Sequence, residues 1–142
     1  MRPAALAALL ALALPPTPLA AEPLGQAVYD RGEGTMPIVG DRPRPAMAGR
    51  MTCAGCHAKD ASGGREGGAD RAPPITWAAL TEATPSRPAY DEAALAMALT
   101  EGRDPAGRML RMPRFAFAPQ ALPALIAHLR ALDATERIGL TP

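Results

Sequence analysis

Two thiols and an imidazole stand together at Cys53-Ala54-Gly55-Cys56-His57. The pattern C-x-x-C-H is the attachment signature of a c-type haem. Two thiols three positions apart can reach two neighbouring vinyl groups on one porphyrin edge, and a histidine directly after them then sits under the iron. One short segment thus fixes a cofactor and supplies a ligand to its metal. Three other readings of the same residues fit less well. A thioredoxin-like dithiol needs a βαβ setting, whereas the neighbourhood of Cys53 offers glycine-rich loop and few strand formers. A zinc site would have to draw on Cys53, Cys56, His57 and His128, the only cysteines and histidines in the chain, with Cys56 and His57 strained as adjacent ligands. A plain disulfide leaves His57 without a role.

An iron held by His57 has a sixth position that is either filled or open. Methionine there raises the reduction potential and suits an electron carrier, whereas an open face favours binding or activation of a small molecule. Met112 is the candidate, because Pro113 keeps it out of helical geometry and so presents the thioether sideways from a loop. Met109 is its local rival, and a methionine in isolation is more often a core filler than a ligand. Met36, Met47 and Met51 precede the haem motif and are weaker candidates. His128 falls in the middle of the last periodic segment and reads as a packing or surface residue.

The elements that must position these residues are helices. Leu24, Ala27 and Val28 share a face in a short helix over Leu24–Arg31, with Gly32 placed to stop it. A modest helix is predicted at Trp77–Glu82. Asp91–Gly102 is the clearest: Asp91 caps, Glu92 sits in the first turn, Leu95, Ala98 and Leu99 share a face, and Gly102 ends it. The last helix runs over Pro119–Asp133, where Leu122, Leu125, Ile126, Leu129 and Leu132 repeat at three and four, although Pro123 implies a kink or a later start. The stretches 32–52, 60–74 and 103–118 read as loop. Val and Ile total six, which argues against a sheet.

Composition explains why such a chain would need a cofactor. Of its 142 residues 48% are apolar, but 32 are alanine, and 13 Gly with 17 Pro leave much of the backbone as loop. A core this thin usually requires a staple, and a porphyrin supplies a large apolar body for helices to pack on. The net charge is +1, and Arg2 aside, 14 basic residues face 14 acidic ones, so nothing predicts nucleic-acid binding. Residues 1–21 read as a secretory signal peptide: Arg2, a charge-free run Ala4–Leu14 too short to span a bilayer, Pro15-Pro16, and small residues at Leu19-Ala20-Ala21 where a peptidase would cut. The expectation is an exported, periplasmic single domain over 22–142 with no transmembrane segment in the mature chain.

With Cys53–His57 near the front, the loop ending in Met112-Pro113-Arg114-Phe115 and the helix Leu125-Ile126-Ala127-His128-Leu129-Arg130-Ala131-Leu132, the chain resembles class I monohaem cytochrome c over about Leu24–Asp133. The resemblance implies an all-α fold of short helices and long loops wrapped around one haem c, covalent through Cys53 and Cys56, with His57 and Met112 as axial ligands. It further implies that Val28 or Tyr29 meets Leu125 and Leu129 where the first and last helices touch. The carbonyl of Pro73 or Pro74 would receive the His57 ring N–H. Trp77 would approach a haem propionate or serve as a core aromatic. Two departures are His128, where an aromatic is common, and the prolines 119 and 123 at the start of the last helix.

The function expected is one-electron transfer to and from redox partner proteins, by a monomer or a subunit of a redox complex. Arg103, Arg108, Arg111 and Arg114 around the Met loop would either dock an acidic partner or form a solvated loop, with Glu101 and Asp104 diluting them. Two alternatives stand beside this. A five-coordinate haem protein would bind a small gas or peroxide, although His128 is the only other histidine available as a proton donor. The cytochrome subunit of a larger dehydrogenase would use the same haem chemistry behind a permanent interface.

Overall fold

In the computed structural model, which describes residues 23–65 and 71–139, five helices carry most of the regular structure. The proposed export signal, residues 1–21, lies outside the described residues. α1 (Leu24–Arg31) and α2 (Cys53–His57) come first, followed by α3 (Trp77–Thr81), α4 (Glu92–Glu101) and α5 (Ala121–Gly139). Helical periodicity therefore locates α1, α3 and α4 to within a residue or two. In α4 the Asp91 side chain accepts the Ala94 N–H at 2.7 Å, and Gly102 closes the helix at φ 73°, a conformation that favours glycine.

α5 begins at Ala121 rather than Pro119. This start resolves the difficulty of Pro123, which becomes the third helical residue. N–H groups there have no partner within the helix, so a residue that lacks one breaks nothing. Downstream, Leu125, Ile126 and Leu129 are buried, and Leu122 and Leu132 are partly buried against the same core.

α1 packs on α5. Val28, Tyr29, Leu125 and Leu129 belong to one buried cluster, as expected for the contact between first and last helices. The α3 turn docks on α5 as well. There the Ala78 N–H donates to the Asp133 carboxylate, and the Arg130 guanidinium lies 4.5 Å from the centre of the Trp77 ring while also pairing with Glu92 at 2.5 Å.

The expectation of no sheet is corrected. β1 (Thr35–Val39) lies between β2 (Arg42–Pro43) and β5 (Arg114–Phe117) in an antiparallel sheet, with Thr35 opposite Phe117 and Ile38 opposite Arg114. A second ribbon pairs β3 (Gly64–Arg65) with β4 (Arg71–Ala72). All three segments read as loop thus contain short strands. Long-range pairing supplies what local propensity lacks: Arg114 reaches back to the Gly40 carbonyl and, at 2.9 Å, to Asp41, 73 positions earlier. The molecule is still mostly helix and loop. Among the described residues no helix is long and apolar enough to cross a membrane.

Candidate functional site

α2 is a single turn that the Thr52 side chain caps, accepting the Gly55 N–H at 3.1 Å. The turn brings Cys53, Cys56 and His57 to the wall of a cavity of about 690 Å³. Neither cysteine is in a disulfide, and burial pushes the Cys53 thiol up to about 11. The neutral thiol is the form that an apolar wall favours.

His57 is 9% exposed, and its Nδ1 lies 2.8 Å from the Pro73 carbonyl oxygen. A carbonyl oxygen only accepts, so Nδ1 carries the proton and Nε2 keeps the lone pair that a metal requires. Of the two prolines expected to supply this carbonyl, Pro73 does so. Tyr29 is fully buried, and its hydroxyl donates to the Ala58 carbonyl at 2.7 Å. Burial raises the Tyr29 pKa well above the usual phenol range, which keeps the hydroxyl protonated as a donor.

Another part of the wall comes from the loop after α4. Met109, Leu110, Met112 and Pro113 all border the cavity. Met112 is half-buried against the core, whereas Met109 is 65% exposed. The loop is braced by Asp104, which is 5% exposed and accepts from the Ala106 and Arg108 amides at 2.9 Å each and from the Arg108 guanidinium at 2.8 and 2.5 Å. The Arg108 hydrogen bonds hold the Asp104 carboxyl below the usual carboxylate range.

This bracing changes the reading of the arginine cluster. Arg108 serves Asp104, Arg103 donates to the Gly107 carbonyl at 3.0 Å, and Arg114 serves the β1–β2 turn. Arg103 and Arg108 thus hold their own loop, and Arg114 ties it to the β1–β2 turn. Arg87 and Tyr90 also line the cavity wall. The Arg87 guanidinium lies 4.7 Å from the Tyr90 ring centre and donates to the carbonyls of Ala79 and Leu80 at 3.1 and 3.2 Å. No motif announces them, because their role arises from the chain's return to the cavity after α3.

His128 and Trp77 do not line the cavity. The His128 ring lies 5.4 Å from the Tyr29 ring and tilted 48° to it at the α1–α5 contact, and Trp77 lies beneath Arg130. Both match the packing roles considered for them. Among the described residues no group of three or more His, Cys, Asp or Glu is placed to hold a metal ion, and His128, which a zinc site would need, lies at the α1–α5 contact away from Cys53, Cys56 and His57.

The residues present fit a porphyrin. The cavity volume lies within the range of small-molecule and cofactor sites. Leu80, Leu95, Leu99, Leu125 and Leu129 give it apolar walls, and one rim carries two thiols beside a histidine of the right tautomer. A family model described as cytochrome c matches residues 45–133. No curated protein and no solved structure matches the chain.

Proposed function

This chain belongs to the cytochrome c family, whose members bind a covalent c-type haem and transfer electrons with it, and from that membership we propose a periplasmic one-electron carrier with His57 and Met112 as axial ligands. Cys53 and Cys56 form the thioether links. The haem supplies a metal centre that takes up and gives up one electron. The protein's residues hold that centre still: His57 is oriented by Pro73, the thioethers fix the porphyrin edge, and the leucine walls exclude water. A site that reorganises little between its two charge states transfers electrons readily. Redox proteins are the expected partners, with the chain acting as a monomer or as a subunit of a redox complex.

The observation that carries the assignment of Met112 is burial. Met112 and Met109 both border the cavity, but only Met112 is half-buried against the core, while Met109 is largely exposed. A thioether that binds iron must be shielded from competing water. The test is the optical spectrum of the oxidised holoprotein, with and without Met112→Ala. A weak far-red sulfur-to-iron band present in the native protein and lost in the variant supports the assignment. A native high-spin spectrum without the band overturns it in favour of a five-coordinate haem that binds a gas or peroxide.

Export rests on the charge-free run Ala4–Leu14 and the small residues that end it. Mass spectrometry of the holoprotein from a periplasmic extract should find Glu22 at the N-terminus. A chain that retains residues 1–21 would contradict processing at this position.

A further inference from the structure

We propose that Tyr29 is a positioning residue for the iron ligand His57, acting through the strained backbone of Ala58. Ala58 follows the histidine directly and has φ 64° and ψ 166°, a region that residues other than glycine hardly occupy. Something must hold it there. The Ala58 carbonyl accepts two hydrogen bonds, from the Tyr29 hydroxyl at 2.7 Å and from the Ala61 amide at 3.3 Å. Ala61, itself at φ 59°, in turn accepts the Ile75 amide at 2.9 Å, and the Gly63 amide donates to the His57 carbonyl at 3.0 Å.

These bonds join the two ends of the histidine's orienting contact. One end is the His57 backbone; the other is the 72–75 segment whose Pro73 carbonyl receives the ring N–H. Between them the Gly63 backbone lies flat on that segment, so close that a Cβ built on it would come to 2.7 Å from the Ala72 carbonyl oxygen. The turn 58–63 is therefore a rigid spacer that sets the distance from ring to carbonyl, and the Tyr29 hydroxyl pins its strained first residue. The Tyr29 ring fills the α1–α5 core, while its hydroxyl serves the site.

The inference rests on His57 being an iron ligand. A ring N–H firmly bonded to a carbonyl makes the imidazole a stronger donor, which favours the ferric state. Tyr29→Phe keeps the packing and removes only the pin. In the holoprotein it should raise the midpoint potential, and the His57 ring N–H should exchange with solvent about tenfold faster or more. Ala58→Gly added to Tyr29→Phe should bring both back to within about a factor of two of wild type in exchange rate, because glycine adopts these angles unaided. An unchanged potential and exchange rate in Tyr29→Phe overturns the inference, as does a shift that Ala58→Gly leaves in place. If Tyr29→Phe yields no holoprotein, the double variant must restore it, and failure to do so counts against the proposal. Iron-shifted ring protons of His57 in wild-type NMR spectra separate the two levels. Their absence removes the ligand assignment and this inference together, whereas their presence with an unmoved potential removes the inference alone.

Discussion

Gly25 of α1 and Ala124 of α5 bring two helix backbones into direct contact: a Cβ built on Gly25 would lie 2.1 Å from the Ala124 carbonyl oxygen and 2.8 Å from the His128 Cβ. No side chain fits there without separating the helices. Since α1 and α5 enclose Val28, Tyr29, Leu125 and Leu129, separating them opens the core. Gly25→Ala should therefore destabilise the holoprotein by about 3 kcal/mol, the upper part of the usual range for overpacking. Chemical denaturation that follows helical circular dichroism would measure it. A loss below about 0.5 kcal/mol would mean that the helices part without penalty.

Asp104 should make the Met loop sensitive to acid. Its carboxyl is held below the usual range by the Arg108 guanidinium. A carboxyl whose pKa is depressed in the folded state adds stability above its unfolded pKa of about 3.9 and loses that contribution as pH falls through the folded value. Asp104→Asn cannot titrate, so its stability should be lower than wild type at neutral pH and should converge with it as pH falls below about 4. Thermal melts of both proteins across that window test the prediction. A gap that stays constant with pH would assign the role of Asp104 to its shape and hydrogen bonds rather than its charge.

How much of this was legible in the sequence depends on the range of the interactions involved. α4 could be read closely because its signals are local: an Asp91 cap, an apolar face and the stop at Gly102. The haem motif was legible because its chemistry lies within five consecutive residues, Cys53 to His57. The sheet was not, since β5 becomes a strand only by pairing with β1 across most of the chain, and Arg-Phe-Ala-Phe carries no alternating pattern long enough to register. Likewise the bracing roles of Arg103, Arg108 and Arg114 appear only once their partners are folded beside them. Basic residues clustered in sequence read equally as a docking patch or a solvated loop, whereas Arg103 and Arg108 hold their own loop and Arg114 ties it to the β1–β2 turn. The start of α5 was displaced by Pro119, which has the right chemistry for a first turn two residues before the helix begins.

Met109 provides a control for the ligand assignment. At 65% exposure its sulfur is open to oxidants, while Met112 is half-buried. Mild peroxide should convert Met109 to the sulfoxide first, which peptide mass mapping would locate, and the far-red band should survive. Met109→Leu should likewise keep the band and leave the midpoint potential close to wild type. Loss of the band in Met109→Leu would instead identify Met109 as the ligand.

Filling the cavity should complete the core. A domain of this size has a net stability of only about 5–15 kcal/mol. Leu80, Leu95, Leu99, Leu125 and Leu129 line the cavity, so the apolar wall they form is removed from water by a porphyrin held there. The walls cannot simply close, because Leu80, Leu95, Leu99 and Leu125 come from three different helices, α3, α4 and α5, joined by loops rich in proline and glycine. A Cys53→Ala/Cys56→Ala chain, which cannot attach haem covalently, should show much less helical signal than the holoprotein and no cooperative thermal transition. Added haem that binds through His57 alone should restore part of both. If the double variant melts cooperatively without any haem, the α1–α5 contact is a sufficient core by itself, and the porphyrin is a guest in the fold rather than its centre.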